Sequence, residues 1–203
     1  MEVETEYLER FPKLKDAAHA LEDELRQFLD GTPRIDGITA RAKNPDRFLT
    51  KAAKKVDNNR LKYEYPLEEI QDQIGARVIV FYKSDVEEVA KRILKTYRVV
   101  EDQRREDPDP GRFGYEAQHF VCALPLEIRS ATNCPVEFFE LQISTLFQHA
   151  WSEANHDLGY KANVPIDYET QRKIALAAAQ AWGADMLFDE MFRENVFQPP
   201  SSN

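Results

Sequence analysis

Asp72 stands two residues before an apolar run, in DQIGARV, with Gly75 and Arg77 behind it. A carboxylate at the mouth of a strand suits Mg²⁺, which takes hard oxygen donors and often only one or two of them from protein when phosphates supply the rest. A second carboxylate lies in EFFELQIST, residues 137–145. With the two-residue repeat of a strand, Val136, Phe138, Glu140 and Gln142 point to one side and Phe139, Leu141 and Ile143 to the other. Glu140 could therefore offer an oxygen to the same ion, with Gln142 beside it. Read singly, Asp72 is also a helix-end residue, Gly75 a packing glycine, and the Glu140 face a strand surface wetted by water.

Cations for a polyphosphate chain come from Arg41 and Lys43, with Lys51 one helical segment later; a solvated basic helix start would look the same. In FGYEAQH, Tyr115, Ala117 and His119 share one strand face, so a ring able to stack on a base projects with an imidazole, unless the tyrosine packs at a sheet edge. The segment LFQHAWSEANHDLGYK puts His149, Glu153, His156 and Tyr160 on one helix face, opposite Phe147, Trp151, Ala154 and Leu158. HxxxExxH departs from the HExxH zinc pattern. The row reads as a hydrogen-bonded shell supporting a sheet.

These groups sit on an acidic chain of 203 residues with a formal charge of −9, which opposes general affinity for nucleic acid because such binding is carried by phosphate neutralisation. Locally the sign reverses. Between Arg41 and Lys62, eight basic residues face two acids, a balance of +6. The 42% hydrophobic and 31% charged content is that of a soluble globular protein. No apolar run spans a bilayer, and MEVETEYLERF has no secretory-signal character, so a cytoplasmic protein without a membrane partner is expected. Cys122 and Cys134 lack ligand or redox spacing and read as reduced packing residues.

The elements that must position this chemistry follow from periodicity. Leu8, Phe11, Leu14, Ala18, Leu21, Leu25 and Phe28 predict a first helix over Tyr7 to Leu29. A strand is expected from Arg34 to Ala42, and a basic helix from Asn44-Pro45 to about Asn58. A short acidic helix starts at Pro66, and IGARVIVFY predicts a buried strand over Ile74 to Tyr82. The next helix, to Tyr97, takes Ser84 as N-cap with Glu87 three residues on. Strands are predicted at Arg98 to Gln103, Ala117 to Leu124 and Val136 to Thr145, the last two joined by a long polar connection. RREDPDPGRFG reads as a mobile loop. Helices Leu146 to Lys161 and Tyr168 to Asn195 and a disordered tail, QPPSSN, complete an α+β protein: a mixed sheet of about five strands flanked by helices. The expected division is an N-terminal helix over 1–33, a core over 34–161, and a C-terminal helix and tail over 162–203.

Taken in order, Arg-x-Lys with a later lysine, DxxGxR, GYxxxH, and ELQIST followed by QHAWSEANHDLGYK resemble the synthetase domain of RelA/SpoT-type alarmone synthetases, small single-domain members in particular. The resemblance runs from about Ile38 to Lys161. It implies a nucleotidyltransferase-like fold and an enzyme that, with Mg²⁺ as cofactor, transfers the β,γ-pyrophosphate of ATP to the ribose 3′-hydroxyl of GTP or GDP, releasing AMP. By position it implies that Arg41 and Arg77 sandwich the adenine, Lys43 and Lys51 bind phosphates, and Asp72 and Glu140 are the Mg²⁺ carboxylates and catalytic pair. Tyr115 would stack on the acceptor guanine, with His119 and Gln142 near the acceptor. His149, Glu153, His156, Tyr160 and Lys161 are the supporting set.

The departures cluster around the acceptor. Serine is common near Arg47 and at the position of Ala117, and arginine at those of Glu116 and Ser144. Two alternatives therefore stay open: a toxic synthetase acting on tRNA 3′-ends or adenosine nucleotides, with an antitoxin protein as partner, and a catalytically inactive nucleotide-binding regulator. The wide apolar surface of the last helix adds an expected homo-oligomer through terminal helices.

Overall fold

Strand alternation and helix amphipathicity assemble around one mixed sheet in this computed structural model, which describes residues 2–56, 59–104, 117–161 and 167–197. The strands are β1 (Ile35–Ala42), β2 (Ile74–Val80), β3 (Val99–Arg104), β4 (Gln118–Ala123) and β5 (Phe138–Thr145), in the order β1-β2-β5-β4-β3. β2 and β5 run parallel, and the other neighbours are antiparallel. The strand bearing Glu140 and Gln142 is thus the centre of the sheet, not an edge. The helices are α1 (Glu2–Phe28), α2 (Pro45–Ala52), α3 (Pro66–Glu69), α4 (Lys83–Thr96), α5 (Leu126–Thr132), α6 (Leu146–Lys161) and α7 (Tyr168–Phe197), with a 3-10 turn at Gln71–Gln73.

The register divides the sheet chemically. Ala40, Ala76, Leu141 and Phe120 are cross-strand partners on one face, and Arg41, Gly75, Glu140 and Val121 on the other. The first face is buried with Leu14, Leu21 and Leu25 of α1, Val89 and Ile93 of α4, and Ile128 of α5 in one core. Each such fully buried side chain contributes roughly 1.5–3 kcal/mol. α6 meets β2 and β5, and α7 packs on α6 and α4. Two buried carboxylates anchor α7: Thr145 donates to Asp185 at 2.6 Å, and the Ser84 N–H donates to Asp189 at 2.8 Å.

Several expectations are corrected. The first helix begins at Glu2, and Tyr7 rather than Leu8 faces the core: Tyr7 is fully buried while Leu8 is 50% exposed. The basic helix ends at Ala52, not Asn58, because the Ala53 N–H closes the helix on Leu49 and the chain then doubles back through a Lys55–Leu61 bridge. The cap of α4 is at Tyr82, whose N–H donates to Asp85 at 3.2 Å; Ser84 lies inside the helix. The connection between β4 and β5 holds α5, ended by Asn133 at φ 50°, the left-handed conformation asparagine tolerates. Seven residues are too few to register as a helical period. The loop over 105–114 and the tail over 198–203 lie outside the described residues.

Candidate active site

The polar face gathers most of the sequence-derived residues, starting where β1 ends and β2 begins. The Lys43 and Lys51 ammonium groups both donate to Asp72 Oδ2, at 2.8 and 2.9 Å. Lys43 is held through its backbone: its N–H donates to the Gln73 carbonyl at 2.8 Å, and its own carbonyl accepts from the Tyr7 hydroxyl at 2.8 Å. Tyr7 also stacks on Phe48 of α2, centroids 3.8 Å apart, fixing the helix that carries Lys51. Burial, then the negative charge of Asp72, pushes the Tyr7 hydroxyl well above the usual tyrosine range, so it stays a neutral donor. Tyr7 is a positioning residue that the sequence reading passed over. Its one signal was a tyrosine beside the apolar stripe of α1.

At the sheet centre, Glu140 Oε1 lies 3.1 Å from His119 Nδ1 and Oε2 accepts from Gln142 Nε2 at 3.0 Å. β4 places His119 opposite Gln142, and β2 places Gly75 opposite Glu140. A Cβ on Gly75 would meet no atom of the described residues within 4 Å, which counts against a packing glycine and leaves space beside Arg41 and Glu140 among the described residues. Ser144 shares the face and is fully buried, its hydroxyl without a partner among the described residues.

Arg77 is held from α6. Its Nη1 donates to Glu153 at 2.7 Å and lies 3.3 Å from His149 Nδ1. The Arg77 hydrogen bond holds the Glu153 carboxyl below its ordinary range, with Arg77, His149 and Arg41 charges adding to it; burial, then the Arg77 charge, lowers the His149 imidazole. The expected supporting row therefore divides: His149 and Glu153 reach the sheet, while His156 is exposed. Arg41 is exposed on the same face, paired with Gly75. Tyr115 and Glu116 lie outside the described residues, as do the side chains of Tyr160 and Lys161.

The donor set fits a hard divalent ion. Asp72 Oδ1 is buried and makes no hydrogen bond among the described residues, and Glu140 is the second carboxylate of the face. Among the described residues no cluster of three or more His, Cys, Asp or Glu could hold a metal, so an ion here would draw its remaining oxygens from a ligand or water, as Mg²⁺ commonly does. No helix among the described residues is long and apolar enough to cross a membrane.

A mixed five-stranded sheet with one helix-covered face and one polar face defines an α+β fold shared with solved alarmone synthetases. Small alarmone synthetase 1 from Bacillus subtilis is 22% identical, covering 93% of this chain and 97% of its own, with a TM-score of 0.76. Bound to its product pppGpp, the same enzyme is 24% identical over 90% and 93%, with a TM-score of 0.70. A GTP pyrophosphokinase family protein from Streptococcus pneumoniae is 23% identical over 96% and 98%, with a TM-score of 0.75. No curated protein matches the chain. The sequence signature described as the region found in RelA / SpoT proteins matches residues 40–164, and the chain belongs to the RelA/SpoT family.

Proposed function

We propose that the chain is a pyrophosphokinase that transfers the β,γ-pyrophosphate of ATP to the ribose 3′-hydroxyl of GTP or GDP, releasing AMP, with residues 34–161 as its catalytic core. The observation that carries this reading is the convergence, on one open sheet face, of a carboxylate bound by two lysines, a second carboxylate oriented from both oxygens, and a tethered arginine. Family membership supports it, as does the fact that the Bacillus subtilis relative has been solved with pppGpp and with AMPCPP.

In this reading Lys43 and Lys51 exchange the Asp72 carboxylate for phosphate oxygens, and Arg41 and Arg77 flank the adenine. Mg²⁺ would be held by Asp72 and Glu140 and would neutralise charge spreading over the phosphates. Glu140, aligned by His119 and Gln142, accepts the 3′-hydroxyl proton. The 3′-oxygen bonds to the β-phosphorus, the bond from that phosphorus to the α,β-bridging oxygen breaks, and AMP leaves with the electron pair. Tyr115 stacks on the acceptor base. The apolar residues exposed on α7, among them Leu187 and Met191, form a contact face of a homo-oligomer, which sedimentation at several concentrations checks.

A second reading, pyrophosphate transfer to tRNA or to adenosine nucleotides, is favoured by the neutral, buried Ser144 on the acceptor side and by the basic segment Arg41 to Lys62. One assay separates the two: β-labelled ATP, Mg²⁺ and each acceptor in turn, with AMP release and the labelled product measured. Label on GTP or GDP supports the first, and label on tRNA or an adenosine nucleotide the second. Turnover unchanged in Glu140→Gln overturns the assigned centre.

A further inference from the structure

At the end of the sheet where β2 and β5 begin lies a cavity of about 300 Å³ that none of the residues above requires. Its size is at the lower end of small-molecule sites. One wall is the 3-10 turn, through Gln71 and Gln73, and another is the segment leading into β5, through Val136 and Phe138. Arg10 of α1 and Arg129 of α5 also line it.

Two observations indicate an occupant. Gln73 is 2% exposed; its Nε2 donates to the Leu67 and Ile70 carbonyls at 2.7 and 3.0 Å, while its Oε1 has no partner among the described residues. A buried acceptor left open is costly and calls for a donor. The two guanidinium groups, in turn, are only lightly engaged. Arg10 pairs through Nη2 with Glu6 and, at 3.7 Å, with Glu68; Arg129 pairs through Nη1 with Glu137 at 2.8 Å. The side chains of Glu6, Glu68 and Glu137 are 46%, 63% and 60% exposed. Exposed ion pairs of this kind contribute little, and each guanidinium has further N–H donors suited to a carboxylate or a phosphate.

We propose that this cavity is an effector site for a small amphiphilic anion. A carboxylate or phosphate is bound by Arg10 and Arg129 in exchange for their exposed glutamates, an N–H or O–H of the ligand donates to Gln73 Oε1, and an apolar body rests on Ile70 and Val136. The occupant touches both segments that carry the proposed metal carboxylates: Gln71 and Gln73 flank Asp72, and Phe138 precedes Glu140 by two residues in β5. Binding is independent of the proposed reaction; the effector role rests on that reading of Asp72 and Glu140.

The test uses the full chain and calorimetric titration with three probes: N-acetyl-L-leucine, its uncharged amide, and inorganic phosphate. N-acetyl-L-leucine is expected to bind, the amide to bind about tenfold more weakly, and Arg10→Gln and Arg129→Gln each to weaken the acid about tenfold without altering the melting curve. Phosphate that competes with the acid and binds more tightly assigns the site to phosphorylated ligands; weaker phosphate assigns it to carboxylates. No binding of either anion at about 10 mM, an amide equal to the acid, or Arg129→Gln equal to wild type overturns the site. Bound probe should shift AMPCPP affinity at least about threefold in wild type and not in Arg129→Gln, as linkage between sites requires; binding with no shift overturns the effector role. Probe binding in a protein that releases no AMP with any acceptor sinks the proposed reaction and leaves the site standing.

Discussion

The two faces of the central sheet use the same five strands for opposite ends. On the helix-covered face, Ala76, Val78, Phe139, Leu141 and Phe120 are buried and satisfied by packing alone. On the other face, residues one position away carry charge, hold one another by hydrogen bonds, and leave open space above Gly75. The polar side chains there are positioned by pairs: His119 and Gln142 on Glu140, Lys43 and Lys51 on Asp72, Glu153 on Arg77. The lesson is that the strand period separates stability from chemistry within a single element.

Adjacent substitutions in β5 should break the comparison most sharply. Glu140→Gln is expected to lower AMP release by about 100-fold or more, the size of a lost general base or preorganised charge, with a chemical-denaturation midpoint close to wild type. Phe139→Ala, one residue away, should cost about 3–5 kcal/mol of stability while the folded fraction turns over normally, because Phe139 is fully buried and packs edge-on against Tyr97 at 6.0 Å. Equal effects of the two on denaturation would show that the faces are not divided as described.

Lys51→Gln should weaken AMPCPP binding about tenfold, the worth of a hydrogen bond to a charged group, and leave folding intact because Lys43 still neutralises Asp72. Glu153→Gln sharpens the distinction within the polar face: its pair with Arg77 is 54% exposed on the glutamate side, so an increase in KM for ATP of only about threefold is expected, with kcat retained.

The pH dependence contrasts the polar face with the α7 anchor. Burial raises the Asp189 carboxyl, but the Ser84 hydrogen bonds and then Arg193 outweigh it and hold the group below its ordinary range. A depressed folded value means that the stabilisation is complete above the ordinary aspartate range, about pH 4, and is lost as pH falls through the folded value. Asp189→Asn should flatten the acid limb of stability measured by urea denaturation between about pH 5 and 2, with AMP release at neutral pH unaffected.

Most of the strands, the face shared by Glu140 and Gln142, and the inventory of lysines, arginines and carboxylates were legible in the chain, because alternation with period two is a local steric property. Helix α6 was readable to its ends for the same reason of local period. Short pieces were not: α5 has too few residues for a period, and the basic helix stops where a Lys55–Leu61 bridge, a tertiary choice, turns the chain. Nor could periodicity show that β5 lies between β2 and β4, that Tyr7 reaches across 36 residues to the Lys43 carbonyl, that two lysines converge on one oxygen of Asp72, or that Glu153 holds Arg77 from 76 residues away. Those contacts depend on which apolar faces pack together and in what register, a free-energy balance of the whole core; the sequence determined the chemical groups and their faces, and only tertiary packing decided their partners.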